Sequence, residues 1–558
     1  MDKNETKILN FLRKKTSREK SPIKEIEKEN YYNTLIQKII GSSLSDSEEN
    51  EEIDYEKDWI QIPKSEIKTI KENERENSFI DLNEIQEQIE KENKEKFTEK
   101  YKNYTPYDFF SKFIDEKLYE IICKETIKYY KLKNENKINL KTISFFTIEN
   151  LKKYLACMLT MGIVRFPRIQ FYWNSNPGIF EYDFLKRIMS RNAWCLFNSY
   201  LHFPNETNDN VGKINTIINY INDKWYQYRP ESFTFSIDET MVPFKGRLKL
   251  RQFMPKKPTK YGIKIFGISN SEDSYVLKWL LYPGAGYPLK NVIISMASVL
   301  KKNDYVFFDS YFTTRETINY LDKKGIFYVG SVKKNRRGFP KFINNNNDIL
   351  FPYYKLNNML LVQYPDNKLI IVVSNCFTKP IDVIYNKKNN QRNENKIKPF
   401  LLEQYSKYAR GIDKNNQLTS FYFANKKSIK WYKKFFIYLL DTCITNAYIL
   451  YKKVNNNKME LLDFKINIIY SLKGENRKVL KTPINVDPNK RLVGNHFIKK
   501  IKERKDCILC SDRKNKRKLT YLICSICRVH LCLDCFETFH TIRNVENYIK
   551  MNNINNIN

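Results

Sequence analysis

Three aspartates lie beside hydrophobic segments, where an acidic side chain is costly. Asp238 ends the run FTFSID, Asp309 ends YVFFD, and Asp413 follows Gly411 and Ile412 ahead of a long apolar segment. A buried carboxylate is unfavourable unless a metal ion, another cation or hydrogen bonds compensate its charge. Two such groups on adjacent strand ends, with a third from elsewhere, would hold two divalent cations that clamp an in-line attack on a phosphodiester. Mg²⁺, or Mn²⁺ in its place, suits this task because it takes oxygen ligands. Taken singly, each aspartate is better explained as a strand cap or a turn residue, so spacing alone does not define a triad.

A cluster of cysteines near the C-terminus predicts zinc. Three Cys-x-x-Cys pairs and a histidine fall within 34 positions; they are Cys507, Cys510, Cys524, Cys527, Cys532, Cys535 and His540. Thiolates at this spacing converge on a tetrahedral ion. Seven ligands imply two structural Zn²⁺ ions with one ligand missing, and His530 is a candidate for the eighth. In a cross-brace arrangement, the first and third pairs would hold one ion, and Cys524, Cys527 and His540 the other.

This cluster is also compatible with a small domain that folds around zinc and does nothing more. RING and PHD modules share such spacings, so a ubiquitin ligase or a reader of histone tails is an alternative for the tail taken alone.

Basic side chains follow the first aspartate and recur in the zinc segment. The candidates for DNA contact are Lys245, Arg247, Lys249, Arg251, Lys256, Lys257, Lys260, Arg336, Arg337, Arg513, Lys514, Lys516, Arg517 and Lys518. Alternating basic residues along an extended segment can follow a phosphate backbone. The competing explanation is a solvated face in a lysine-rich protein.

The formal net charge of +34 favours a polyanionic partner, with nucleic acid ahead of an anionic membrane surface. Residues 41–100 carry 19 acidic and 9 basic side chains, so the remaining chain is more basic still. No run approaches 18 consecutive apolar residues, and the first residues lack a signal-peptide core. We therefore expect a soluble, intracellular protein with no membrane partner.

Hydrophobic periodicity predicts an α/β protein in several parts. Helical spacing dominates from about 105 to 230, short strands follow from 231, and a long apolar helix occupies 428–453. The predicted parts are an acidic, largely disordered region (1–104), a helical dimerisation and DNA-binding region (105–230), the first part of the catalytic core (231–340), an insertion domain (341–400), the last part of the core (401–455), a return to the helical region with a basic linker (456–505), a zinc domain (506–541) and a disordered tail (542–558).

Several blocks in fixed order resemble piggyBac transposases. They are SIDETMVPFKGRLKLRQFMPKKPTKYGIKIFGI (236–268), FDSYFTT (308–314), VGSVKKNRRGFP (329–340), GIDKNNQL (411–418) and the helix KWYKKFFIYLLDTCITNAYILYK (430–452). Two blocks of the helical region also match, MGIVRFPRIQFYWNSNP (161–177) and FNSYLHF (197–203). The resemblance covers roughly residues 105–541.

The resemblance implies that Asp238, Asp309 and Asp413 form the metal-binding triad of an RNase H-like core. It implies nicking at each transposon end, attack of the free 3′-OH on the opposite strand to form a hairpin, and joining to a target at TTAA. It also implies a cysteine-rich domain that reads terminal inverted repeats of double-stranded DNA, a homodimer that synapses two ends, and action in the nucleus. The run RKNKRK (513–518) is compatible with nuclear import.

One position departs from the family pattern. The third block usually carries a second acid three residues after the first, and here that position is Asn416. An amide oxygen can ligate a metal weakly but brings no charge. Asn416 favours an alternative function, a domesticated DNA-binding or chromatin protein without the chemistry, whereas the three retained aspartates favour the enzyme. A general RNase H-type nuclease or recombinase would explain the acids but not the zinc segment.

Overall fold

A mixed sheet of ten strands organises the first of two units, Met1–Asn476 and Arg477–Asn558. The computed structural model describes residues 59–71, 82–135, 137–174, 182–205, 211–284, 286–340, 351–366, 368–389, 392–424, 430–455, 459–474, 492, 494, 496–511 and 517–542. Predictions that concern 1–58, 72–81 and 543–558 lie outside these residues.

The strands of the first unit are, in chain order, β1 (Ile60–Gln61), β2 (Lys68–Lys71), β3 (Thr234–Pro243), β4 (Arg251–Phe253), β5 (Tyr261–Asn270), β6 (Val276–Leu281), β7 (Tyr305–Phe308), β8 (Phe327–Ser331), β9 (Tyr353–Leu356), β10 (Met359–Pro365), β11 (Leu369–Ser374), β12 (Ile381–Asn389) and β13 (Arg392–Pro399).

Its helices are α1 (Leu82–Tyr101), α2 (Pro106–Ser111), α3 (Glu116–Lys133), α4 (Leu140–Phe145), α5 (Ile148–Ile163), α6 (Phe184–Ile188), α7 (Arg191–Tyr200), α8 (Gly212–Gln227), α9 (Leu289–Ala297), α10 (Arg315–Lys323), α11 (Phe400–Tyr408), α12 (Gly411–Phe421), α13 (Trp431–Val454) and α14 (Leu461–Lys473). The helices between 105 and 230 lie where the periodicity predicts them.

Five strands at the centre of the sheet have the order β6-β5-β3-β7-β8. β3 is antiparallel to β5 and parallel to β7, and β7 is parallel to β8 through the crossover helix α10. This is the strand order of an RNase H-like core, and the predicted fold class is confirmed. All four residues of β7 are buried, as expected of a strand covered on both faces.

The sheet continues beyond β8 through part of the predicted insertion. β11 pairs with β8 through Val372–Ser331 and its neighbours, and β10, β9 and β1 follow. β12 and β13 form a separate sheet with β2. The segment predicted as an insertion over 341–400 therefore contributes β9–β11 to the main sheet and β12 and β13 to the separate one.

The prediction of a largely disordered region over 1–104 is also wrong for the residues described there. β1 and β2 join two different sheets, and Ile62, Ile70 and Leu82 are buried. Their local sequence is too polar to form a core alone, so their order comes from pairing with strands almost three hundred residues away. Such long-range pairing is invisible to local composition.

The 24-residue helix α13 passes through the centre of the unit and is buried on nearly every face. Asn446 on α13 accepts a hydrogen bond from the Val276 N–H at 3.0 Å and donates one to its carbonyl at 2.8 Å. Asn222 on α8 binds the N–H and carbonyl of Trp279 in the same way, both at 2.9 Å. Two buried amides thus satisfy the backbone of β6 and fix both helices against the sheet.

After α13 the chain returns to the N-terminal helices, because α14 packs against α5 and α2. The sequence predicts a return to the helical region for 456–505. The basic linker predicted at the end of that range needs correction, since Ile498–Asp506 is a strand of the second unit. Among the described helices, none is long and apolar enough to cross a membrane.

The second unit contains a hairpin of β14 (Ile498–Asp506) and β15 (Leu519–Cys524), followed by helix α15 (Leu533–Thr541). Its small core holds Leu509, Leu531 and Phe539 together with several cysteines. So small an apolar cluster suits a fold that depends on metal ions.

Candidate active site and metal centres

Asp238 and Asp309 lie at the same level on neighbouring parallel strands, Asp238 within β3 and Asp309 just after the end of β7. Ile237 of β3 pairs with Phe308 of β7, and each aspartate is the next residue along its strand. Since adjacent strands lie about 4.8 Å apart, the two carboxylates are brought side by side. Their oxygens and one from Glu239 all lie within 4.8 Å of one another. We call Asp238, Glu239 and Asp309 the carboxylate cluster.

The turn after β7 is built by hydrogen bonds from the FDSYFTT residues. The Tyr311 N–H donates to Oδ1 of Asp309 at 2.9 Å, and the Thr313 hydroxyl lies 3.2 Å from the Asp309 carbonyl and 2.5 Å from the Ser331 carbonyl. Thr314 caps α10, its hydroxyl accepting from the Thr317 N–H. These contacts hold Asp309 at the strand end, where the sequence predicted it.

Burial raises the pKa of both aspartates. The pKa of Asp238 is raised to about 7, chiefly by burial, with Glu239 and Asp413 adding to the rise while Lys257 opposes it. Burial is also the main cause of the raised pKa of Asp309, and Glu239 adds to it. A cluster in which ionisation is this unfavourable is suited to bind cations, which replace the missing solvent.

Asp413 approaches the cluster from α12, which packs across β3 and β5. The helix comes so close that a Cβ on Gly411 would lie 2.5 Å from the hydroxyl oxygens of Ser236 and Ser269. Asp413 is exposed and does not belong to the group within 4.8 Å, although its charge raises the pKa of Asp238. The structure therefore brings two of the three predicted aspartates into contact and leaves the third nearby.

Asn416 lies one turn after Asp413 on the same helix. Its side-chain oxygen accepts a hydrogen bond from the Tyr438 hydroxyl of α13 at 3.0 Å. The amide that replaces the family's second acid is thus used in a helix–helix contact.

Sequence reasoning missed Glu239 and Lys264. Successive side chains of a strand point to opposite faces of the sheet. This alternation predicts that Glu239 points away from Asp238, so the sequence offers no reason to place them in one site. Lys264 is buried, with its ammonium 4.4 Å from the ring centre of Tyr311. Its pKa is lowered, mainly because burial disfavours the charge. Nothing in the local sequence distinguishes Lys264 from the many exposed lysines.

The basic residues after Asp238 fall into two groups. Those that lie exposed on the loops and strand that follow β3 are Lys245, Arg247, Lys249, Arg251, Lys256 and Lys260. Lys257 instead turns inward, with Nζ 3.2 Å from a carboxylate oxygen of Glu239 and 3.8 Å from Asp238. Arg251 donates to the carbonyls of Lys245 and Gly246, which shapes the loop.

Arg336 lies at the edge of the same site. Its guanidinium donates to the carbonyl of Ser310, the residue after Asp309, and its buried Nε has no hydrogen-bond partner among the described residues. Arg337 is exposed.

Four cysteines of the second unit form one candidate zinc site. The ligand atoms of Cys507, Cys510, Cys532 and Cys535 lie within 4.8 Å of one another, and Cys510 Sγ is 3.6 Å from Cys532 Sγ. Bonds of about 2.3 Å from zinc to sulfur place tetrahedral ligands about 3.8 Å apart, so the geometry fits. A hydrogen bond from Cys535 lowers the pKa of Cys507 and raises that of Cys535, so without metal the two thiols share one proton.

The second site contains a ligand that the sequence did not single out. Cys524, Cys527 and His540 are joined by His496, whose Nδ1 lies 3.4 Å from Cys524 Sγ and 3.5 Å from Cys527 Sγ. His530, the candidate named for this position, belongs to neither group. His540 is oriented by a 2.7 Å contact between its Nδ1 and the Phe536 carbonyl, which leaves Nε2 for the site.

The two groups of ligands interleave along the chain as a cross-brace requires. The basic residues of the intervening loop are only partly visible, because Arg513, Lys514 and Lys516 lie outside the described residues. Arg517 pairs with Asp506 at 2.9 Å and Lys518 with Asp534 at 2.6 Å, both at the surface.

Comparison with known proteins agrees with this architecture. Residues 105–448 match the family model described as Transposase IS4. The human PiggyBac transposable element-derived protein 2 is 23% identical over 448 residues, which cover 74% of this chain and 73% of that protein. The human PiggyBac transposable element-derived protein 3 is 22% identical over 394 residues, which cover 65% of this chain and 64% of that one.

A solved structure has the same fold. The piggyBac transposase in a synaptic complex with hairpin DNA matches 78% of this chain and 98% of its own, with a TM-score of 0.56 and 18% identity. The family resemblance expected from the sequence is confirmed. Because the family model spans more than half of the chain, this protein belongs to the Transposase IS4 family, in its piggyBac-type branch.

Proposed function

We propose that the protein is a cut-and-paste DNA transposase in which Asp238, Asp309 and Asp413 support metal-dependent phosphoryl transfer. The observation that carries this proposal is the partly buried carboxylate cluster at the centre of an RNase H-like sheet, in a chain of a transposase family. Oxygen donors of this kind suit Mg²⁺ or Mn²⁺ rather than a softer metal.

The roles of the protein's own residues follow from their positions. Asp238 and Asp309 would hold divalent ions from the sheet, and Asp413 would complete the site from α12. When bound, two such ions activate the attacking oxygen and stabilise the leaving oxygen of an in-line displacement. Arg336, half-buried beside the Asp309 turn, would contact DNA at the edge of the site.

The reaction would begin with hydrolysis of one strand at each transposon end. The 3′-OH released there would attack the opposite strand to form a hairpin and free the flanking DNA. Hydrolysis of the hairpin would regenerate a 3′-OH, which would attack the target at TTAA. The exposed basic residues from Lys245 to Lys260 would bind the phosphate backbone of the double-stranded substrate. A structural relative solved as a synaptic complex with hairpin DNA supports the hairpin step. The protein would act as a homodimer that holds two transposon ends.

The second unit would hold two Zn²⁺ ions and read the terminal inverted repeats. Sulfur and imidazole donors in two closed groups of four fit structural zinc. Arg513, Lys514, Lys516, Arg517 and Lys518 would contact DNA, and the same run would direct the protein to the nucleus.

A second candidate is a domesticated DNA-binding protein without the chemistry. The observation in its favour is Asn416, which engages Tyr438 where the family has an acid. The matched human proteins are named as derived from a transposable element, which is compatible with this outcome.

Excision from a plasmid that carries candidate transposon ends separates the two functions. Wild-type protein should release the element, and Asp309→Asn should reduce excision by at least about a hundredfold, because a neutral amide no longer holds the cations. DNA affinity measured by fluorescence anisotropy should remain within about twofold in this variant. Tight binding without excision by the wild type would refute the enzyme and favour the domesticated protein.

A further inference from the structure

Lys257 enters the carboxylate cluster from the loop that joins β4 to β5. Its ammonium lies 3.2 Å from Oε1 of Glu239 and 3.8 Å from Oδ1 of Asp238, and it donates to the Glu239 carbonyl at 3.0 Å. The loop is closed at its base by a 2.8 Å hydrogen bond from the Met254 N–H to the Lys260 carbonyl. The position of Lys257 is therefore set by the hairpin and differs from that of its exposed neighbours.

Glu239 is the least exposed acid of the cluster, with 7% of its surface accessible. One of its oxygens binds Lys257, whereas the other, Oε2, is buried and has no hydrogen-bond partner among the described residues. A buried carboxylate oxygen without a donor is unfavourable, so this position needs a further positive group. One carboxylate oxygen of Glu239 lies within 4.8 Å of an oxygen from Asp238 and of one from Asp309, within the reach of one shared cation.

We propose that Lys257 is a tethered cation that balances Asp238 and Glu239 until a divalent ion binds, and that Glu239 is a further ligand of that ion. This inference rests on the proposed metal-dependent transposase. An ammonium and a divalent ion that seek the same oxygens repel each other within a few ångströms. Lys257 therefore keeps Asp238 and Glu239 together in the metal-free protein, and it competes with the metal for them.

The competition links metal binding to DNA binding. When the Lys257 ammonium is displaced from Glu239, it remains on its loop beside the exposed basic residues, where it can form an ion pair with a DNA phosphate. DNA that pairs with this ammonium removes the charge that competes with the divalent ion for the carboxylates. DNA and metal should therefore strengthen each other's binding by the same factor.

Titration of the full-length, zinc-loaded protein with MnCl2 at pH 8, followed by electron paramagnetic resonance of free Mn²⁺, tests this inference. Lys257→Met should lower the Kd for Mn²⁺ by about three- to tenfold, because the competing charge is gone. Glu239→Gln should raise the Kd by a similar factor. Lys257→Arg keeps the charge and should resemble wild type, as should Lys323→Met, which removes an exposed lysine of α10.

A merely structural lysine would give the opposite sign, because its loss would loosen the cluster and weaken Mn²⁺ binding. Weaker or unchanged Mn²⁺ binding by Lys257→Met would overturn the inference. Thermal unfolding guards against misfolding: the variant should have a lower Tm than wild type without metal and a larger gain in Tm on adding Mn²⁺. If wild type and Asp309→Asn bind Mn²⁺ equally weakly, the proposed metal-dependent function itself fails, and this result is distinct from failure of Lys257 alone.

Discussion

At the scale of single residues, the degree of burial distinguishes the acidic and basic side chains of the candidate site from those at the surface. Of the aspartates chosen from the sequence, Asp238 and Asp309 are half-buried among hydrophobic strands, whereas Asp413 is exposed on a helix. Glu239 is as important to the geometry as either strand aspartate, but only the folded chain brings it close to Asp309. A hydrophobic sequence context therefore identifies acids that are costly to bury. It does not identify an acid that only the folded chain brings to the site.

Asp304 provides a test of buried charge away from the metal site. Burial raises its pKa to about 7, although the Lys301 N–H donates to it at 2.6 Å. A raised pKa in the folded state means that folding takes up a proton. Its stabilising effect is complete below the unfolded pKa of about 3.9 and is lost as the pH rises through about 7.

Asp304→Asn keeps an oxygen that can accept this hydrogen bond and has no charge to bury. We expect its free energy of unfolding to exceed that of wild type by about 1–3 kcal/mol at pH 8, with the difference shrinking toward pH 4. Denaturant unfolding at pH 5 and pH 8 measures it. A difference that does not change between these pH values would contradict the assignment.

At the scale of elements, the position of the third aspartate depends on a glycine. Gly411 lets α12 lie directly on Ser236 and Ser269, and a Cβ there would also meet the backbone oxygen of Asn270 at 2.6 Å. The helix would have to move away from the sheet, carrying Asp413 with it.

Gly411→Ala should therefore lower the free energy of unfolding by about 1–3 kcal/mol and reduce excision as well. Circular dichroism during thermal unfolding and the plasmid assay measure the two effects. Ser420→Ala, at an exposed site on the same helix, is the control and should change neither. Full excision by Gly411→Ala would show that Asp413 is not required at its present position.

The elements of the core could be predicted because their residues form hydrophobic runs with clear ends. FTFSID and YVFFD correspond to β3 and to β7 with its following aspartate, and the long apolar run 428–453 contains α13. The limits of the insertion could not be predicted, since β11 joins the main sheet only through backbone bonds to β8. Nor could β1 and β2 be predicted. Each is a short polar strand that is ordered by backbone pairing with a distant strand, and the local sequence does not show this pairing.

At the scale of the whole molecule, the chain combines a large unit with its own core and a small unit with two groups of four candidate metal ligands. The fourth ligand of the second candidate zinc site could be narrowed to two residues by counting the histidines. The chain has four histidines, and once His540 is assigned only His496 and His530 remain near the cysteines. His496 does not stand out in the sequence because it lies eleven positions before Cys507, the first cysteine of the cluster, and outside the Cys-x-x-Cys pattern.

Zinc content tests this assignment directly. Wild-type protein should retain two zinc ions per chain after dialysis, and His530→Ala should retain two as well. His496→Ala should lose about one, because a site with three protein ligands binds structural zinc more weakly. Mass spectrometry of the eluted metal measures the stoichiometry, and a loss in His530→Ala alone would reverse the assignment.

The asparagines that bind β6 also have a consequence for how the protein behaves at high concentration. A strand with free N–H and carbonyl groups invites a strand from another molecule, and this is a common route to aggregation. Asn222 and Asn446 occupy the backbone groups of Trp279 and Val276 that such a strand would need. The two helices therefore act as caps against intermolecular sheet growth, and replacing either asparagine should reduce solubility before it affects any chemistry.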